Sequence, residues 1–155
     1  MKIFEFRAQQ TLPRPLDEVF SFFAQATNLE AITPPFLGFQ IVTPLPIKME
    51  VGTLIDYRLK IHGIPIRWRT RINVWQPPYR FEDEQLHGPY RQWIHEHTFE
   101  EISGGTLCHD RVRYAVLGGN LINRFFVRPD IETIFNHRRR CLDDLFQRPV
   151  KSHED

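Results

Sequence analysis

Two histidines one residue apart, His95 and His97, are the side chains of this chain best suited to proton transfer. Imidazole titrates near neutral pH, so a positioned histidine can act as a general acid or base. Asp83 and Asp110 can orient an imidazole, and the phenol of Tyr114 can donate a proton to a developing oxyanion. The catalytic candidates are therefore His95, His97, Asp83 and Tyr114. The alternative is that both histidines only form structural hydrogen bonds to the two aspartates.

The same histidines have a spacing at which two imidazoles of one strand can bind zinc, with Asp83 or Asp110 as a third ligand. Histidines at positions i and i+2 are common by chance, so this signal is weak. The two cysteines, Cys108 and Cys141, lie far apart and have no zinc-ribbon spacing. We expect no metal and no cofactor.

The glycine pair at 104–105 predicts a two-residue hairpin turn in which Ser103 pairs with Thr106. This register places four pairs on one face of the sheet: Phe99 with Asp110, His97 with Val112, His95 with Tyr114, and Trp93 with Val116. The other face would carry charged pairs such as Glu96 with Arg113, which belong in water. The histidine face is therefore predicted to be the concave face, and a shift of one residue would invert the assignment.

The turn at Gly88-Pro89 allows two registers. A loop of three residues puts Gln85 beside Trp93, Asp83 beside His95 and Phe81 beside His97, whereas a loop of two puts Glu84 and Glu82 beside Trp93 and His95. Both registers bring a carboxylate near His95. We therefore expect the pKa of His95 to be raised.

The composition indicates one ordinary globular domain and excludes a disordered, collagen-like or coiled-coil protein. The chain has 155 residues, of which 41% are hydrophobic and 25% charged. Its net charge of +1 gives no field for holding a phosphate backbone, so we expect no nucleic-acid partner. We see no signal peptide and no membrane-spanning run, which predicts a cytoplasmic protein without stable membrane insertion. The 13 Phe, 4 Tyr and 3 Trp exceed what a minimal core needs.

The hydrophobic periodicity predicts the order of the elements. A strand over residues 2–12 precedes two short helices, the first entered through Pro15 and the second ending before Pro34. Six further strands follow, near 39–43, 53–61, 64–75, 80–87, 90–103 and 106–117. The last element is a helix over about 121–146 that Pro129 divides. Its inner stripe would carry Ile131, Ile134, Phe135, Arg138, Cys141, Leu142 and Leu145. Residues 1–147 would form the domain and 148–155 a loose polar tail.

These elements can bury their apolar faces together if the sheet curls around the long helix. Their order resembles the START-like superfamily, also called SRPBCC. The patterns F-x-D-x-Q at 81–85, G-P-Y at 88–90, W-x-H-x-H-x-F at 93–99 and D-x-V-x-Y at 110–114 look like a bacterial ligand-binding subgroup related to polyketide cyclase/dehydrase and lipid-transfer proteins. The resemblance implies an α+β helix-grip fold, with a curved antiparallel sheet of about seven strands around a long C-terminal helix and two short helices after the first strand. It also implies a cavity between the sheet and that helix.

We expect this cavity to hold a small hydrophobic or aromatic molecule, such as a lipid or a polyketide. Arg138 on the inner stripe could clamp a carboxylate, phosphate or enolate. The expected ligand-binding residues are Trp68, Phe81, Asp83, Gln85, Trp93, His95, His97, Phe99, Asp110, Tyr114, Phe135 and Arg138. Two alternatives remain open: a cyclase or dehydratase that uses the cavity His, Asp and Tyr side chains, and an accessory interaction domain for a neighbouring enzyme. A homodimer or an enzyme partner also remains open.

Overall fold

The computed structural model describes residues 1–147. The predicted polar tail at 148–155 lies outside the described residues. Seven antiparallel strands form one sheet in the order β1-β7-β6-β5-β4-β3-β2. The strands are β1 Phe4–Leu12, β2 Gln40–Ile41, β3 Leu54–Ile61, β4 Ile64–Gln76, β5 Arg80–His87, β6 Gln92–Ile102 and β7 Gly105–Ala115. The predicted seven-stranded antiparallel sheet is confirmed, although β2 is shorter than expected.

Short helices connect β1 to β2, as the two prolines that flank them predicted. Helix α1 spans Leu16–Phe23 and α2 spans Asn28–Ala31, and a 3-10 turn at Pro35–Leu37 follows. Pro15 precedes the first residue of α1, and Asp17 and Glu18 lie in its first turn, where negative charge is favoured. The buried side of α1 carries Leu16, Val19 and Phe20 into the core.

The C-terminal helical segment changes its hydrogen-bonding pattern just before Pro129, where the sequence predicts a break or kink, but its backbone stays helical throughout. Helix α3 spans Gly119–Ile122, a π-helical turn spans Asn123–Val127, and α4 spans Arg128–Phe146. Pro129 lies in the first turn of α4, where its missing N–H costs no hydrogen bond. In the part of the chain that the structure describes, no helix is long and apolar enough to cross a membrane.

The buried stripe of α4 differs from the prediction at its end. Ile131, Phe135, Arg138, Leu142 and Phe146 are buried, whereas Leu145 is 47% exposed. An α-helix returns to the same face after 3.6 residues on average, so the position four residues beyond Leu142 faces inward. The ring of Phe146 contacts the ring of Phe22 on α1, at 5.2 Å between centroids.

The register of β6 and β7 differs from the prediction by two residues. The turn consists of Ser103 and Gly104, with Gly104 at φ +84°, so that Ile102 pairs with Gly105. The resulting pairs are Trp93 with Tyr114, His95 with Val112, His97 with Asp110 and Phe99 with Cys108. Gly105 lies in β7, and glycine is needed there for close packing rather than for the turn. A Cβ at this position would lie 2.1 Å from the carbonyl oxygen of Leu12. A shift of two keeps every side chain on its predicted face.

The charged pairs of the outer face shift by the same two residues. Glu96 lies opposite Arg111 rather than Arg113, and its carboxylate accepts from Arg80. The register of β5 and β6 is the first of the two predicted alternatives, with Asp83 opposite His95 and Phe81 opposite His97.

Candidate functional site

A cavity of about 220 Å³ lies between the concave face of the sheet and α4. Its wall is mostly apolar and aromatic, with side chains from the α1–α2 region, from β3 to β6, and from α4. Four side chains that carry or can acquire a charge near neutral pH interrupt this wall: Asp83, His95, His97 and Arg138. The cavity therefore has an apolar body and one polar region.

The polar region is a hydrogen-bonded cluster built from facing strands. His95 Nε2 lies 2.7 Å from Asp110 Oδ1, and His97 Nε2 lies 2.9 Å from Asp83 Oδ2. The two imidazoles stack on each other at 3.7 Å between centroids. His97 also stacks on Phe81 at 4.0 Å. Strand pairing brings these residues together, because i and i+2 of β6 face the same side as their partners on β5 and β7.

Arg138 joins the cluster from α4. Its Nη2 lies 3.4 Å from Asp110 Oδ1, and its guanidinium lies over the rings of Phe23 and Phe135, at 5.1 and 5.6 Å from their centroids. Among the described residues, Arg138 Nε has no hydrogen-bond partner, and His97 Nδ1 has only a 3.4 Å contact with Asp110 Oδ1. Buried polar groups are normally paired, so these two atoms mark unsatisfied capacity at the site.

The pKa values of Asp83, Asp110, His95 and His97 are not all shifted in the same direction. Burial alone would raise the pKa of Asp83 and of Asp110, but the neighbouring cationic groups outweigh burial and lower both pKa values. Burial also disfavours charge on His97, yet the carboxylates of Asp110 and Asp83, 3.4 and 2.9 Å from its ring nitrogens, raise its pKa above the ordinary value. The cluster therefore favours a protonated His97 between two carboxylates.

The expectation of a raised pKa for His95 is wrong. Burial and the charge of the stacked His97 lower the pKa of His95, and the hydrogen bond to Asp110 only partly offsets them. With His97 protonated and His95 neutral, the cluster contains the two cations His97 and Arg138 against two carboxylates. Charge balance of this kind is what makes burial of so many ionisable groups tolerable.

A metal ion could be held only by part of this cluster. Asp83, His95 and His97 each offer a ligand atom, and these atoms lie within 4.8 Å of one another. Zinc requires neutral imidazoles, whereas the two carboxylates favour the protonated form of His97. The donor set therefore fits an ion-pair network better than a zinc site, and the absence of a metal stays a prediction.

The structure places eight of the twelve expected ligand-binding residues on the cavity wall. They are Trp68, Phe81, Asp83, Trp93, His95, His97, Phe135 and Arg138. The other four, Gln85, Phe99, Asp110 and Tyr114, lie away from the wall. Asp110 is behind the histidines, where it holds His95 and faces Arg138 without lining the cavity.

The remaining three of these four have structural partners. The Gln85 amide donates to the carbonyl of Tyr90 at 2.8 Å and accepts from its N–H, which fixes the β5–β6 turn. Phe99 packs in the core against Phe20 and Phe23. Tyr114 is fully buried and its hydroxyl donates to Asn123 Oδ1 at 2.6 Å, so it is not available to an oxyanion in the cavity.

Several cavity residues were missing from the sequence prediction. Tyr57, Thr70 and Tyr90 line the wall. A signal for Tyr57 was present, because the two-residue turn at 62–63 pairs it with Trp68, whose side chain faces the same side. No comparable signal pointed to Tyr90, which follows the strand in an irregular turn.

We expect the free energy of unfolding to have a maximum near pH 6.5, the ordinary histidine pKa being about 6.5. Above this pH the unfolded chain loses the His97 proton first, so stability falls as the pH rises through the raised pKa of His97. Below it the unfolded chain protonates His95 first, so stability falls toward the lowered pKa of His95. Asp83 and Asp110 add a further loss below about pH 4.

Urea unfolding of the wild type and His97→Gln across this pH range measures the effect. The difference between the two proteins should shrink as the pH rises above about 6.5, because the variant lacks the group responsible for the alkaline loss. His109→Gln, on the same strand pair but opposite Thr98 on the outer face, is the matched control and should follow the wild type. A constant difference between wild type and His97→Gln would contradict the assignment.

The family model described as "Polyketide cyclase / dehydrase and lipid transport" matches residues 12–141. None of the curated proteins compared with the chain matches it.

Solved structures with the same fold have very different sequences. The crystal structure of Ara h 8.0201 has a TM-score of 0.68 at 13% identity, over 94% of this chain and 99% of that one. Protein CV1439 from Chromobacterium violaceum has a TM-score of 0.74 at 13% identity, over 94% and 99% of the two chains. The di-domain ARO/CYC StfQ from the steffimycin biosynthetic pathway has a TM-score of 0.71 at 14% identity, over 94% of this chain and 51% of that one. Identities this low show the fold alone, and the predicted helix-grip fold is confirmed.

Proposed function

Because the chain belongs to the polyketide cyclase/dehydrase and lipid transport family, we propose that it binds one small aromatic or apolar molecule between the sheet and α4. The observation that carries the proposal is an apolar cavity with a charged cluster on one part of its wall. Ligand sites commonly combine an apolar lining with a few polar groups that fix orientation.

The cavity favours a compact, flat ligand. Its volume of about 220 Å³ lies below the range of roughly 300–1,000 Å³ that is usual for drug-sized ligands. The rings of Trp68 and Trp93 pack edge to face with 5.6 Å between centroids, and the ring centroid of Tyr90 lies 4.7 Å from that of Trp93. These rings hold one another in place and offer faces and edges to an aromatic ring. A long acyl chain fits this space less well than one small ring system.

The charged cluster favours an acidic oxygen at one end of the ligand. Arg138 is 8% exposed and its unpaired Nε belongs to a side chain on the cavity wall. An N–H without an acceptor is costly when buried, and a ligand oxygen would remove that cost once the guanidinium turns its Nε toward the cavity. A carboxylate or phenolate oxygen accepts a charge-assisted hydrogen bond from the guanidinium, which is stronger than one to a neutral group, and protonation of His95 would keep the cluster neutral when such an anion binds.

Native mass spectrometry of the purified protein, with organic extraction of whatever it retains, tests the proposal first. We expect a retained molecule with an aromatic body and an acidic group. In parallel, calorimetry with naphthoate and its uncharged methyl ester should show about tenfold tighter binding of naphthoate, and this preference should vanish in Arg138→Met. An empty protein that also fails to bind naphthoate would contradict the proposal.

A second function is favoured by the stacked histidine pair. The ring centroids of His95 and His97 lie 3.7 Å apart on the cavity wall, yet the pKa values of the two side chains are shifted in opposite directions. Two neighbouring groups with separated pKa values suit the roles of base and acid. The chain would then remove a proton next to a carbonyl group, as cyclase or dehydratase chemistry requires, with neutral His95 as the base.

The geometry gives each group a role in that reaction. His95 Nε2 donates to Asp110, which leaves the lone pair of the neutral ring on Nδ1. The tautomer is assigned from this hydrogen bond. When a carbon loses its proton to His95, the negative charge moves to the carbonyl oxygen, and the cationic His97 and Arg138 would stabilise it. Asp110 acts by orienting His95 and does not touch the substrate.

A further inference from the structure

We propose that the segment joining β7 to α4 docks on an anionic lipid surface through an exposed apolar face. This face, the junction face, consists of Leu117, Leu121, Ile122, Phe125 and Phe126. These side chains are 66, 69, 38, 61 and 59% exposed, respectively. Soluble proteins rarely expose several large apolar side chains together, and such exposure is typical of an interaction site. The proposal goes beyond ligand binding in the cavity and does not depend on it.

The fold holds the junction face outward. Leu121 and Phe125 are four residues apart, as are Ile122 and Phe126, so the two pairs share one side of the helical segment. The opposite side is anchored: Asn123 accepts from the buried Tyr114 hydroxyl at 2.6 Å, and Val127 packs on the core. The segment therefore cannot rotate to bury its phenylalanines without breaking these contacts.

The surrounding charge favours an anionic surface. Residues 111–129 contain no Asp or Glu. Arg124 is exposed, and its guanidinium lies 5.4 Å from the ring centroid of Phe125. Lys2 adds a second cation beside the segment, with its Nζ 2.6 Å from Asn120 Oδ1, whereas Arg128 is paired with Glu132 at 3.0 Å. Phenylalanine and leucine with adjacent arginines are typical of helices that lie in the lipid headgroup region, where the arginine stem can extend along the apolar side.

A second copy of the chain is a poorer occupant of this face. A stable interface of standard size buries about 800 Å² on each partner and involves roughly 20–30 residues a side. The junction face has five apolar side chains, which is too few to form such an interface alone. Shallow docking on lipid has no comparable size requirement, because each inserted apolar side chain contributes by itself.

The junction face also adjoins the cavity wall. His62 in the β3–β4 turn meets Asp130 in the first turn of α4, with Nε2 and Oδ2 2.8 Å apart. Their sequence neighbours Ile61 and Ile131 both line the cavity. Docking through Phe126, four residues before Asp130, would bring this part of the wall next to the lipid.

Flotation with vesicles of equimolar phosphatidylcholine and phosphatidylglycerol tests the proposal, with pure phosphatidylcholine vesicles as the lipid control. We expect the wild type to bind the anionic vesicles and the double variant Phe125→Ser/Phe126→Ser to lose at least about tenfold in partitioning. Tyr79→Ser is the matched control, because Tyr79 has the same 61% exposure but lies in the β4–β5 turn. Circular dichroism melting confirms that the variants fold.

Three results would overturn the proposal. They are no binding of the wild type to anionic vesicles, equal binding by the double variant, and equal loss in Tyr79→Ser. Analytical ultracentrifugation without lipid provides the remaining test. We expect both the wild type and the double variant to be monomeric. A wild-type dimer that becomes monomeric in the double variant would assign the junction face to a second copy instead.

Discussion

Replacing Asp110 by asparagine is expected to lower the free energy of unfolding by about 3–5 kcal/mol at neutral pH, the range for breaking a buried ion pair. The Asp110 carboxylate accepts from His95 at 2.7 Å and lies 3.4 Å from both His97 Nδ1 and Arg138 Nη2. An amide keeps the shape but loses the charge, so the cluster would carry an excess buried cation. The measurement is urea unfolding of the two proteins.

The loss should depend on the unpaired cation rather than on the size of the side chain. Asp110→Asn combined with Arg138→Met removes that cation and should recover part of the lost stability. Glu84→Gln is the surface control: its partner Arg71 is 46% exposed, and ion pairs at the surface contribute only about 0–1 kcal/mol. Additive losses in the double variant, or a small loss in Asp110→Asn, would show that Asp110 does not hold the cluster together.

The sequence predicted the fold well because the pattern of the strands does not depend on fine detail. Alternation placed His95 and His97 on the concave face, and this assignment survived an error of two residues in the β6–β7 register. The error arose because two adjacent glycines served different purposes. Gly104 makes the turn, and Gly105 allows the end of β1 to approach closely. A sequence shows both glycines but not which one needs the positive φ.

The limits of the site prediction have a similar physical origin. Facing inward is a property of one strand, whereas lining a cavity depends on what covers that strand. Tyr114 faces inward, but Asn123 and the aromatic cluster around it bury its hydroxyl. The pKa of His95 was predicted in the wrong direction because only the nearby carboxylate was considered. Burial and the stacked His97 decide the outcome, and both depend on the folded structure.

If the cavity performs acid–base chemistry, His95→Gln is expected to lower the rate of proton exchange by about 10²–10⁴-fold, the usual contribution of a general base. The probe is acetophenone in deuterated water, an aryl ketone with slowly exchanging hydrogens next to its carbonyl group. Mass spectrometry follows the replacement of those hydrogens by deuterium. The wild type should accelerate this exchange over buffer, because His95 accepts the proton while His97 and Arg138 face the developing oxyanion.

Glutamine keeps a polar side chain of similar reach but cannot act as a base near neutral pH, so ligand affinity should change far less than the exchange rate. His109→Gln again serves as the matched control, because this histidine lies opposite Thr98 on the outer face. Loss of exchange with retained naphthoate binding would assign His95 to catalysis. If the wild type binds acetophenone without accelerating its exchange, the cluster serves only as an anchor for the acidic end of the ligand. A base that is present and correctly oriented must accelerate exchange of a bound ketone.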